Sequence, residues 1–146
     1  MQLTRYTDYA LRTLLQAALM PEGERLSVAQ ITATYDISRS HVMKIVQRLG
    51  QLGYLRNVRG KGGGIELGKA PEEINISAVV IDMESNLQIV ECNSPYCRLQ
   101  PACKLKQVLT EAINAFITVL ESYTLADLVE NKDELLQLLT LDEIAA

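Results

Sequence analysis

Tryptophan is absent from this sequence, and phenylalanine and histidine each occur once. With so few large aromatics, any core has to be mostly aliphatic. The single histidine, His41, has no cysteine near it in sequence to share a metal with. Cysteine is also scarce, and all three copies fall in residues 92–103, CNSPYCRLQPAC. An odd, clustered set of thiols makes a poor disulfide framework. The start, MQLTRYTDYALR, lacks a charged segment followed by an apolar one, and no apolar run is long enough to cross a bilayer. These absences lead us to expect a cytoplasmic protein with no membrane partner. What is present, 146 residues that are 48% hydrophobic, suits one globular domain or two very small ones.

Acidic residues are missing from one stretch. Between Ile37 and Ile65 there is none, against six Lys/Arg. The net charge of −4 hides this asymmetry: residues 1–70 carry ten basic and five acidic side chains, residues 71–146 four and thirteen. A polyanion is attracted to the first half and repelled by the second.

Hydrophobic spacing predicts a mainly α chain. LTRYTDYALRTLLQAAL has a helical stripe of Tyr6, Ala10, Leu14 and Ala18, broadened by Leu11, Leu15 and Leu19. Ser27 is placed to cap VAQITATY, and Ser38 to cap RSHVMKIVQRLGQLG after a tight turn at 35–37. Two short helices, the second one basic, form a helix-turn-helix pattern. YLRNVR and IELG flank GKGGG, which reads as a β-hairpin and, placed there, as a wing. The expectation is a winged helix-turn-helix DNA-binding domain over 1–70. Residues 71–146 should hold a short helix capped by Asn75 or Ser77, an irregular cysteine-bearing loop, and a long helix over 102–123. In that helix Leu105, Leu109, Ala112, Phe116, Val119 and Tyr123 form a heptad seam suited to packing along another helix. Thr124 caps LADLVEN, and DELLQLL adds a last short helix.

In the third helix Val42, Ile45, Val46 and Leu49 share a core face, while Ser40, Lys44 and Arg48 lie opposite, with Arg39, His41 and Gln47 beside them. A helix beginning Ser38, Arg39, Ser40, His41 suits a major groove, where its first residues meet base edges and its Lys and Arg meet phosphates. Arg59 and Lys61, among the wing glycines, extend the candidate DNA contacts.

The cysteine spacing is C-x4-C-x5-C: Cys92, Cys97, Cys103. Zinc sites favour tighter C-x2-C pairs, so this looser loop suits a larger object such as an iron–sulfur cluster. Zinc, redox-switch thiols and inert cysteines stay as alternatives. Three thiolates leave a fourth position to a small molecule, water or an oxygen donor.

Several stretches together carry a resemblance: LTRYTDYALRTL, ISRSHVMKIVQRL, VRGKGGGIELGK, the cysteine loop, PACKLKQVL and YTLADLVE. In that order and spacing they resemble the NsrR family of nitric-oxide-sensing iron–sulfur repressors, part of a superfamily of dimeric winged-helix regulators. The resemblance implies a homodimer held by the long helix, promoter DNA as partner, nitric oxide as effector and a cluster on Cys92, Cys97 and Cys103. It implies 4Fe–4S, with 2Fe–2S the alternative. It also implies that Asp8, from the other subunit, completes the coordination; by spacing alone Asp8 is an ordinary i, i+4 partner of Arg12. The related iron–sulfur-assembly regulators carry a histidine three residues after the third cysteine, where this chain has Lys106. An enzyme or electron carrier would leave the basic helix and wing without purpose, and no substrate-binding constellation is visible.

Overall fold

The computed structural model describes residues 1–145, with side chains up to Thr140. Helix α1 (Arg5–Leu19) starts where the Thr4 hydroxyl accepts the Thr7 N–H at 3.3 Å. Helix α2 (Val28–Tyr35) begins with a reciprocal cap: the Ser27 hydroxyl accepts from the Gln30 N–H, and the Gln30 carbonyl oxygen accepts from the Ser27 N–H. It ends at Asp36, in the left-handed conformation (φ 51°), which turns the chain into α3 (Arg39–Gln51). Strands β1 (Leu55–Val58) and β2 (Gly64–Leu67) pair antiparallel, with Leu55 opposite Leu67 and Val58 opposite Gly64. A single bridge from Leu26 to Ile65 fastens the hairpin to the entry of α2. The winged helix expected from the sequence is therefore present.

Helix α4 (Ile76–Met83) is capped by Asn75, not Ser77: the Asn75 amide oxygen accepts from the N–H groups of Ser77 and Ala78. The long helix α5 (Lys104–Glu121) starts later than its apolar pattern suggests, because Cys103 is its cap. Helix α6 (Leu125–Leu128) is shorter than expected; the Asp127 carboxylate accepts from both the N–H and the hydroxyl of Thr124. Helix α7 (Lys132–Ala145) is longer, since no glycine or proline follows Leu139 to stop it.

The core is aliphatic, as the shortage of aromatics requires. Leu14, Leu26, Ile31, Val42, Ile45 and Leu49 are completely buried, each contributing roughly 1.5–3 kcal/mol. Ile74, Ile76, Val79, Met83 and Leu125 join the same cluster, so one core runs from the winged helix through α1 into α4 and α6. In contrast, α5 packs on α4 and has no fully buried residue of its own.

Candidate nucleic-acid interface and thiol loop

A groove of about 870 Å³ runs between α3 and the wing. Its helix wall is Arg39, Met43, Lys44 and Gln47, and its opposite wall includes Arg56, Asn57 and Val58 of β1. Ser38, Arg39, Ser40, Lys44 and Arg48 are all exposed. Of the Ser40–Lys44–Arg48 stripe, however, only Lys44 borders the groove; the stripe that faces the wing is Arg39, Met43, Gln47. Met43 does not stand out in the sequence, because its residue type suggests core.

His41 stands apart from its neighbours on α3. It is half-buried and packs toward α1, stacked on Tyr6 (ring centroids 6.3 Å apart) and edge-on to Tyr9 (5.6 Å). Two tyrosines three residues apart on α1 offer the imidazole an aromatic seat. His41 thus joins α3 to α1.

Arg59 and Lys61 sit exposed in the wing turn. The glycines there serve the turn itself. Gly60 and Gly62 have φ of 94° and 75°, and a Cβ on Gly63 would lie 2.5 Å from the Val58 carbonyl oxygen. Glu66, the acid that closes the carboxylate-free stretch, holds the wing in shape. It accepts from Arg56 Nε at 2.8 Å and from Arg25 Nε at 3.0 Å, while Arg25 Nη1 donates to the Gly62 carbonyl at 2.9 Å. Its bond to Arg56 foremost, and then Arg25, holds the Glu66 carboxyl below the usual glutamate range. Arg25 is a second residue the sequence did not single out.

The three cysteines are free, half-buried and hung on successive turns of one loop. The Cys97 N–H donates to the Cys92 carbonyl at 3.0 Å, and the Gln100 N–H to the Cys97 carbonyl at 3.0 Å. A 3-10 turn at Gln100–Ala102 then delivers Cys103 to the start of α5, where its Sγ accepts the Lys106 N–H at 3.5 Å. Lys106 borders the hollows at both Cys92 and Cys103. The hollow at Cys92, about 190 Å³, is walled mostly by Leu87, Ile89, Val90, Leu109 and Ile113.

This loop is tied to the winged helix at its root. Glu84, which ends α4, accepts from the Thr4 N–H at 3.2 Å and from the hydroxyls of Thr4 (3.1 Å) and Thr7 (2.5 Å) at the start of α1. The Tyr54 hydroxyl, just before β1, donates to Asp82 of α4 at 2.6 Å; burial first, and this bond second, raise its pKa. Within the chain Asp8 pairs with Arg12 at 2.8 Å, both half exposed. The Arg12 guanidinium lies over the Tyr35 ring, 5.9 Å from its centroid, and the Tyr35 hydroxyl donates to the Arg12 carbonyl at 3.1 Å.

Residues 3–131 match the family Rrf2, described as an iron-dependent transcriptional regulator. The chain belongs to the Rrf2 family. It is 50% identical over 146 residues to the HTH-type transcriptional regulator NsrR of Bacillus subtilis (strain 168), covering 98% of this chain and all of that one. It is 52% identical over 144 residues to the regulator of the same name from Halalkalibacterium halodurans, covering 97% of this chain and 99% of the other. In fold it is similar to T. potens IscR (TM-score 0.74, 20% identity, 92% of this chain and 90% of the other). It is also similar to CymR of B. subtilis, the global cysteine regulator (0.71, 22%, 90% and 98%).

This Rrf2 protein is therefore an NsrR-type, DNA-binding transcriptional regulator and not an enzyme. Among the described residues no helix is long and apolar enough to cross a membrane. The family description implies iron, so the thiol loop has to suit it. Among the described residues no three Cys, His, Asp or Glu side chains stand together as a ready cage. The donor chemistry nonetheless suits a thiolate-bound cluster: three free sulfurs on one loop, one of them at a helix N-terminus, with Lys106 lining the hollows at Cys92 and Cys103.

Proposed function

We propose that this Rrf2 regulator is a cytoplasmic, homodimeric repressor that senses nitric oxide through an iron–sulfur cluster of the 4Fe–4S type. Residues 1–70 read promoter DNA, and residues 71–146 hold the cluster and the dimer. One observation carries this reading: all three thiols of the chain share a loop whose two ends are fixed to α4 and α5, and whose α4 end grips the start of α1 through Glu84. The NsrR relatives support it over the full length of the chain.

Cys92, Cys97 and Cys103 would hold the cluster, and Asp8 of the other protomer would complete its coordination. Bound there, the cluster supplies iron open to reaction with nitric oxide. The chain's own contribution is a choice of partners for Asp8. Released from the loop of the other protomer, Asp8 returns to Arg12 of its own helix, the pairing seen here. Arg12 touches Tyr35 at the end of α2, beside the turn that sets α3. A change at Asp8 therefore reaches the reading helix through two side chains, and the Glu84–Thr4/Thr7 bonds give the loop a second hold on α1.

Metal and sulfide analysis of anaerobically purified protein tests the proposal. Iron and inorganic sulfide in about equal amount, near four per chain in a brown protein, is the expected result. Stoichiometric zinc in a colourless protein would overturn it, and two irons per chain would point to the 2Fe–2S alternative.

A further inference from the structure

Helix α3 carries an apolar residue that the fold does not use. Val42, Ile45, Val46 and Leu49 are at most 5% exposed, whereas Met43 is 52% exposed. Met43 is central in the helix wall of the groove, with Arg39 one turn before it and Gln47 one turn after, and it faces Asn57 and Val58 of the wing. Arg39, Lys44 and Arg56 border the same groove, so its setting is cationic.

We propose that Met43 is a specificity-determining residue that reads thymine through its 5-methyl group. The proposal rests on α3 being the DNA-reading helix and adds what its centre recognises. A thioether side chain gains nothing from a phosphate and offers no donor to a base. In the major groove the thymine methyl is the apolar group presented at the base edges, and contact with it removes apolar surface from water on both sides. Methionine's unbranched chain adapts to that contact without fixing the helix in one position. Arg39 and Lys44, by contrast, can hold phosphates and align the helix over any sequence. Met43 thus supplies preference where its neighbours supply affinity.

The test uses the protein as purified under anaerobic conditions and the tightest duplex it selects from a random-sequence pool. Each thymine of that duplex is replaced in turn by deoxyuridine, which removes only the methyl group. At one or more positions the wild type should bind about fourfold more weakly, the worth of one buried methyl. Met43→Ala should bind the thymine and uracil duplexes equally at those positions, and Met43→Gln, which keeps the side chain's length, should do the same. Wild-type binding that ignores every thymine methyl would overturn the proposal, as would a Met43→Ala protein that keeps the wild-type discrimination. Lys44→Ala separates this from failure of the underlying reading. Weakened binding by Lys44→Ala together with intact discrimination in Met43→Ala sinks only the role of Met43. Unchanged binding by Lys44→Ala and Arg39→Ala removes α3 from the interface and Met43 with it.

Discussion

Glu66 shows how one side chain shapes the proposed DNA surface. It holds Arg25 and Arg56 together, so Arg56 is committed to the wing while Arg59 and Lys61 stay free for phosphates. Its pKa lies below the usual glutamate value in the folded state, so the stabilisation from these ion pairs is present above that value and is lost as pH falls through the lower, folded one. A carboxyl-carbon NMR titration should place Glu66 below the ordinary range, and Arg56→Ala should move it back toward that range. An ordinary titration in the wild type would mean that the pairing is not maintained in solution. Lys61→Ala should lower affinity for all sequences and reduce the log–log salt slope by about 0.9 for each phosphate that Lys61 neutralises in the wild type. An unchanged slope would take Lys61 off the DNA. At this scale charge was legible in the sequence, and so was the buried face of α3. The direction of His41 was not, because it depends on two tyrosines brought alongside by tertiary packing. Met43 was hidden for the opposite reason: its residue type suggests core, and only the position of the wing shows that it faces a groove.

Helix α5 is the element that the single chain leaves incomplete. Leu105 and Val119 are 63% and 59% exposed, although the seam to which they belong is apolar along the helix; Tyr123, expected on the same seam, lies past the helix end at Glu121. In the homodimer proposed above, a second copy of α5 would bury that face through the matching heptad pattern. Phe116→Asp places a charge in that seam and should raise the dimer dissociation constant at least about 100-fold, or roughly 3 kcal/mol. Sedimentation velocity checks this, and a dimer of normal affinity would place the interface elsewhere. The existence of α1, α3 and α5 followed from apolar spacing, and that of α2, α4 and α6 from their capping residues. The ends followed less well, because local capping decides them: Cys103 starts α5, and α6 stops at Leu128 with Val129 as its C-cap.

At the scale of the whole molecule, the winged helix shares one core with α4, and Glu84 at the end of α4 ties the root of the thiol loop to α1. Domain-sized divisions of charge and composition were visible in the sequence. The Glu84 and Asp82 contacts that join the halves were not, nor was the Arg12–Tyr35 contact between α1 and α2, since each links residues whose proximity only the fold creates. If Asp8 completes the site of the opposite protomer, a mixed dimer of Asp8→Ala and Cys97→Ala chains should retain one cluster of wild-type character. A cluster like that of the Asp8→Ala homodimer would place Asp8 within its own chain. The sensing function itself is tested by titrating the selected duplex anaerobically with the wild type and with Cys97→Ala, before and after nitric oxide. The wild type should bind tightly and lose at least about tenfold in affinity after nitric oxide, whereas Cys97→Ala should bind weakly and not respond. Equal affinity in all four conditions would contradict a repressor that senses nitric oxide through its thiol loop.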